Sequence, residues 1–277
     1  MINFLSGIVI GLAFIIPGVS GGTLMVMMNL YDRAVNSIVN YTKDIKKNTI
    51  FLGTIGLGVA TGILLFSKIL HYLLNNYECP TKLVFIGLIV GGIPATYKTI
   101  KSKKGTKLNY KITLLTLLIS IGLFFFEKYL FDFSLEGDLI KGSIPLFGII
   151  IAGFLYASGK IIPGISGTAL LMLIGMYNYL INILADINHF QVSYLKVLIP
   201  FFISFIISAL ILFKMINYFL EKHYSKTYSA ILGFILGSII YVLPSFYVNI
   251  SELLLSIILG LLVMLLTYKL SIKKSVK

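Results

Sequence analysis

Long apolar runs separated by short polar stretches organise this chain. Ile50–Leu74, Ile112–Leu130, Leu195–Leu220 and Leu253–Leu270 each come near or exceed the roughly 20 residues that carry a helix across a bilayer core. Two further apolar segments lie between them, so the pattern predicts two sets of three spans: 50–74, 83–97 and 110–131, then 194–220, 228–247 and 252–270. The segment 83–97 is the shortest and is rich in glycine. Ahead of each set sits an apolar stretch broken at its centre: FIIPGVSGGTLMVMMNLY from Phe14 and KIIPGISGTALLMLIGMY from Lys160. The arm Phe4–Ile16 would make a helix of only about 20 Å, too short for a core of about 30 Å. It is expected to dip in, break at Pro17-Gly18 and return as a helix through Leu24–Val39. The second copy, Ser143–Ile162 then Ser166–Ala185, has a longer first arm that suits either a dip or a full crossing.

The two stretches belong to a repeat at an offset of 146. Ile15-Ile16-Pro17-Gly18 aligns with Ile161-Ile162-Pro163-Gly164, Gly7 with Gly153, Ser20 with Ser166, Gly21 with Gly167 and Tyr31 with Tyr177. The same register carries Lys68 onto Lys214, Thr81 onto Thr227, Gly87 onto Gly233 and Gly91 onto Gly237. Apolar matches could arise from composition. Matches of Pro, Gly, Ser, Lys and Thr in one register point to two copies of one unit, about 1–131 and 142–277, within a single membrane domain spanning 1–277.

Charge orients the copies. Lys43, Lys46 and Lys47, the six lysines of 98–111, and Lys269, Lys273, Lys274 and Lys277 mark cytoplasmic segments. The region 243–251, equivalent to the lysine-rich 98–111, has no basic residue. Equivalent loops are therefore expected on opposite sides. Two arms plus three spans give each copy an odd parity whether the arms dip or cross. The fold class expected is an all-α polytopic membrane protein of two inverted-topology repeats, each a re-entrant or broken helical hairpin plus three transmembrane helices. Only 12% of residues are charged, against about 25% in a soluble domain. The net charge of +13 then reads as loops facing anionic lipid rather than nucleic acid. The N-terminal apolar run lacks a basic start and leads straight into the repeated motif, so it reads as mature structure rather than a leader. Cys79 is the single cysteine, which excludes an intrachain disulfide and a thiolate metal cage.

Broken helices placed near the midplane of inverted repeats are the usual pointer to a transport site. Ser20 is suited to cap a helix opening at Gly21-Gly22-Thr23. A helix start offers free N–H donors and a positive dipole end, and glycines let those donors approach a ligand closely. With the hydroxyls of Ser20, Thr23, Ser166 and Thr168, the chemistry suits an anion, and phosphate is the natural candidate. Small residues also let membrane helices pack closely, and a single Gly-x-Ser-Gly would be read that way. Lys160 precedes the second motif where the first has Phe14, and a charge at that depth is a candidate counter-ion for phosphate; a snorkelling role is the alternative. Lys68 and Lys214 lie within apolar runs and suit snorkelling or an accessory role. Asp32-Arg33 reads as an interfacial ion pair, with Asp32 also among few acids able to carry a proton. A small-anion channel or exporter would use the same features. A lipid-phosphate enzyme would need a histidine nucleophile or acid–base pair, and none of the three histidines lies beside either motif.

The pair IPGVSGGT with NLYD, and KIIPGISGT with GMY, resembles the bacterial polyprenyl-phosphate transporters of the PopT type. The resemblance covers nearly the whole chain. It implies a multi-pass protein of the bacterial plasma membrane, its C-terminus cytoplasmic by the charge pattern, that returns undecaprenyl phosphate from the outer to the inner leaflet for cell-envelope synthesis. No cofactor or metal is implied, and the partners are the polyprenyl-phosphate lipid and the bilayer. Carried over by motif, the head-group site is Pro17, Gly18, Ser20, Gly21, Gly22 and Thr23 with Lys160, Pro163, Gly164, Ser166, Gly167 and Thr168. The copies differ at Thr168-Ala169 against Gly22-Thr23, which leaves the second donor set open.

Overall fold

Apolar chain in lipid must satisfy its backbone internally, and helices do so segment by segment. The structure, a computed structural model, describes residues 2–15, 20–102, 106–130, 146–167, 170–171, 174–185, 192–244 and 249–274, and these are helices and their connections, without a strand among them. In the first half α1 is Ile2–Ile15, α2 Gly21–Met27, α3 Tyr31–Val39, α4 Ile45–Asn76, α5 Glu78–Ser102 and α6 Tyr110–Leu130. In the second half α7 is Leu146–Ile161, α8 Met176–Ala185, α9 Val192–Lys222, α10 Tyr224–Ser238 and α11 Ile250–Lys274, with a 3-10 turn Ile239–Val242 extending α10. Five helices among the described residues are long and apolar enough to cross a membrane: α4, α5, α9, α10 with its turn, and α11. The protein is an all-α polytopic membrane protein. Large apolar side chains such as Leu64, Phe202 and Leu254 stay exposed on the outer faces, where hydrocarbon replaces water.

Five of the six expected spans appear as helices long enough to cross, with changes at their ends, while the segment 110–131 forms α6, whose described apolar part is shorter. The segment 83–97 belongs to a 25-residue helix. Its first turn is lengthened by the i,i+4 pair of Glu78 and Lys82, whose ammonium and carboxylate are 2.6 Å apart. The return arm expected through Leu24–Val39 is not continuous: the helix stops at Met27 and restarts at Tyr31, because Asn29 adopts φ 56°. At the matching position of the second half, Gly175 adopts φ 68° just before α8. Left-handed backbone is open to Gly and, at modest cost, to Asn, and these are the two residue types the repeat places there.

Glycines fix which helices touch. Gly7 and Gly11 of α1 lie against Gly58 and Gly62 of α4, where an added Cβ would collide with opposing backbone. Gly153, the partner of Gly7 in the repeat, sets α7 equally close to Phe201 and Ser204 of α9, and the Ser204 hydroxyl donates to the Ile150 carbonyl at 2.6 Å. The remaining pairs cross between halves. Gly87 and Gly91 of α5 face Gly260 and Met264 of α11, while Gly233 and Gly237 of α10 face Thr116 and Ser120 of α6. Matched glycines thus make matched crossings, and each half closes its last helix onto the other.

These pairs run parallel. Because α1 and α4 point the same way, the chain between them must return to the end at which it began. By their register α1 stops roughly ten residues, about 15 Å, short of the far end of α4. Connections also sort by end. The α9–α10 junction at His223 adjoins the lysine-rich segment after α5: Ser225 donates to the Lys107 carbonyl, and the Asn109 amide donates to Ser229 Oγ at 2.9 Å. At the other end of α5, Lys82 donates to the Leu243 carbonyl at 3.4 Å, beyond the 3-10 turn. Tyr77 and His223, equivalent breaks in the repeat, therefore lie at opposite ends of α5.

Replacing Gly233 by Val should lower stability by about 1–3 kcal/mol through overpacking against Thr113 and Thr116. Gly53→Ala, at a site with nothing within 4 Å, should be neutral or slightly stabilising. Thermal melts of the detergent-solubilised variants check both.

Candidate functional site

The first motif enters the structure at Ser20. Its backbone (φ −92°, ψ 132°) stands at the N-cap of α2, with the Thr23 amide donating to the Ser20 carbonyl at 3.0 Å. The side chain does not cap. Among the described residues three buried hydroxyls have no hydrogen-bond partner, Ser20 Oγ, Thr23 Oγ1 and Thr96 Oγ1, with Ser20 4% and Thr23 0% exposed. A buried hydroxyl left unpaired costs about 1–3 kcal/mol, and two of the three fall at the N-cap and in the first turn of α2. Pro17 and Gly18 lie outside the described residues.

The second motif follows α7. Ile162 donates its amide to the Ser158 carbonyl at 2.9 Å, and the chain then turns at Pro163-Gly164, where Gly164 has φ +85°. That glycine is required twice over, since a Cβ would also strike the Phe234 carbonyl group on α10. Gly167 folds back against Gly159 so closely that neither position admits a side chain without displacement. Ser166 is half-buried, and its carbonyl receives the Leu170 amide at 3.1 Å. Thr168 lies outside the described residues.

The structure brings the two motifs together. A Cβ at Gly22 would stand 3.4 Å from the Ile161 carbonyl oxygen, 3.4 Å from Pro163 Cγ and 3.4 Å from Ser20 Oγ. Beside this contact, the Tyr31 hydroxyl donates to the Ile161 carbonyl at 2.9 Å, a buried bond joining the two halves. It satisfies one of the terminal carbonyls that α7 cannot pair internally. Lys160 sits one residue earlier, half-buried in the last turn of α7, where a cation is favoured by the helix dipole. Its ammonium lies over the Tyr156 ring at 5.1 Å, and Tyr156 packs on Phe201 and Phe205.

The remaining candidates are placed differently. Lys68 on α4 and Lys214 on α9 are exposed. Asp32 and Arg33 lie in the first turn of α3 and reach different partners. Arg33 lies over the Phe51 ring at 4.1 Å. Asp32 accepts from the hydroxyls of Tyr228 and Tyr224, the latter at 3.4 Å. Tyr31, Tyr156, Tyr224 and Tyr228 are contacts that sequence reasoning did not assign. Tyr31 and the i,i+4 spacing of Tyr224 and Tyr228 offered some signal, but nothing in the sequence named their partners.

A family model described as undecaprenyl phosphate translocase-like matches residues 10–256. Among curated proteins, a polyprenyl-phosphate transporter of Vibrio cholerae is 27% identical over 235 residues, covering 80% of this chain and 70% of the relative. A polyprenyl-phosphate transporter of Staphylococcus aureus is 27% identical over 224 residues, covering 80% of this chain and 78% of the relative. No solved structure matches the chain.

Tyr31→Phe removes the bond to Ile161 while keeping the ring, and should cost about 1–3 kcal/mol because a buried carbonyl loses its partner. Denaturation of purified protein measures it; Tyr41→Phe, at an exposed site, is the control expected to stay within about 0.5 kcal/mol.

Proposed function

This chain belongs to the undecaprenyl phosphate translocase-like family, and from that premise we propose that it is a transporter that carries undecaprenyl phosphate across the bacterial plasma membrane, from the outer to the inner leaflet. Its two halves act as inverted repeats, each with a re-entrant hairpin. The parallel pairing of α1 with α4, the matched glycine crossings and the equivalent breaks at opposite ends of α5 support that arrangement. The lysine-rich end is cytoplasmic, and the C-terminus with it.

The head-group site is the meeting of the two motifs. Ser20, Gly21, Gly22 and Thr23 with Lys160, Pro163, Gly164, Ser166 and Gly167 form it, joined by Pro17, Gly18 and Thr168 of the same motifs. The observation that carries the reading is the pair of buried, unpartnered hydroxyls on Ser20 and Thr23 beside Pro163 of the other half. An arriving phosphate supplies the acceptor oxygens these donors lack. Lys160, at the end of α7, supplies a positive charge that replaces part of the hydration lost in hydrocarbon. The prenyl tail stays in lipid, so the protein needs only a slot open to the side. The lipid leaves as it arrived, with no bond made or broken, so the activity is transport rather than catalysis. The small-anion channel reading draws no support from the relatives.

In proteoliposomes carrying lipid phosphate, the wild-type protein should change head-group accessibility without passing inorganic phosphate or chloride; anion flux without head-group movement would overturn the reading. Lys160→Met should cripple head-group movement with little loss of folded protein. Ser20→Ala and Ser166→Ala should each weaken lipid-phosphate binding by about 1–3 kcal/mol, and unchanged affinity in both would reduce the motif to packing.

A further inference from the structure

Equivalent helices of the two halves stand in unequal situations. α3 bridges the two halves, since the core that buries it also holds Phe51 and Ile55 of α4. Tyr31 and Val35 are 2% and 0% exposed, buried in a core that includes Leu212, Ile216 and Leu220 of α9 and Tyr228 of α10. The described core residues of its counterpart α8 pack within their own half. Met176, Leu180 and Ile183 pack with Ile149 of α7 and Val197 and Phe201 of α9, a cluster whose described members all come from the second half.

The difference extends to the polar contacts. On the side where α3 crosses, the Tyr224 and Tyr228 hydroxyls both reach the Asp32 carboxylate. Hydrogen bonds to an ionised acceptor are stronger than neutral ones. At the 146 offset, Tyr224 and Tyr228 correspond to Glu78 and Lys82, and Asp32 to Asn178. Glu78 and Lys82 pair with each other. Each mobile arm also begins just after a left-handed residue, Asn29 or Gly175. A few residues with unusual backbone angles at the end of an element are the kind of place where a hinge absorbs a rotation.

We propose that α3 is a gate and that Asp32, Tyr224 and Tyr228 are its latch, closing the site toward the lysine-rich end in this structure. The inference rests on reading the halves as inverted copies. The opposite state follows by exchanging roles: α3 leaves α9 and α10 about Asn29, and α8 moves onto the first half about Gly175. The latch is thus a positioning device that sets which leaflet the site faces.

The test follows a reporter thiol in the gate seam, independently of any lipid substrate, so it can fail while the head-group reading stands. Ala34→Cys, at a position 6% exposed, is made in a Cys79→Ser background and labelled with a membrane-impermeant maleimide in vesicles of each orientation. With the latch intact, labelling from the lysine-rich side should be slow. Tyr228→Phe, which keeps the ring, and Asp32→Ala should each speed it by about tenfold or more, as loss of a hydrogen bond to a charge implies. Equal rates with and without the latch, or an increase only from the opposite side, would overturn the proposal. Joining Asp32→Cys to Tyr228→Cys with a short reducible bifunctional linker should stop lipid-phosphate transport until reductant is added. Undiminished transport by the linked protein would likewise overturn it.

Discussion

Backbone that leaves the helix inside a membrane has to be covered by protein or wetted in a cavity. Among the described residues the turn at Pro163-Gly164 after α7 is such a break, and Phe234 of α10 helps to cover it. The means is close helix crossing. Where Gly7 meets Gly58, or Gly87 meets Gly260, the backbones themselves are in contact, a geometry in which many weak attractions and short dipolar contacts replace the hydrophobic drive that lipid cannot provide. The break at Pro163-Gly164 is thereby carried on α7, whose position is fixed by α9 packed against it.

The crossings also explain why the halves cannot be independent. α1 and α7 pair within their own copies, but α5 pairs with α11 and α10 with α6. The same four-helix exchange that shields the core sets α10 beside the second motif, where Phe234 seats Gly164. It also presents Tyr224 and Tyr228 to Asp32 on the other copy. The contact between Gly22 and Pro163 is therefore held by a frame to which both copies contribute.

Much of this was legible in the sequence, for reasons that mark its limits. The offset of 146 relates residues whose role depends on local geometry: Gly7 and Gly153, Gly87 and Gly233, Gly91 and Gly237 make equivalent crossings. The apolar runs place the spanning helices, and the motifs alone carry the resemblance that the family match bears out. What a linear pattern does not contain is the partner. Gly87 signals a close approach, yet nothing in its neighbourhood says that Gly260 will be opposite. Nor does Asp32 announce two tyrosines 192 and 196 residues away. The break at Asn29 was visible as an Asn and a Gly at one register, but an unbroken run of apolar residues from Leu24 to Met28 reads as a helix that continues. Local propensity yields there to a turn that the repeat uses twice.

The two motifs differ in a way that bears on how a shared site works. In the first, Gly22 and Thr23 follow the Ser-Gly pair; in the second, Thr168 and Ala169 take their places. Gly22 lies where a Cβ would meet Pro163 and Ile161 at 3.4 Å, and the first copy carries its second hydroxyl one residue later. The second copy brings the cation instead, since Lys160 stands where the first has Phe14. Two identical motifs would give a site symmetric in donors but without charge, or with two ammonium groups competing for one phosphate. In the proposed site one copy would provide uncharged donors and the other the single cation, so that one positive charge would face a bound phosphate.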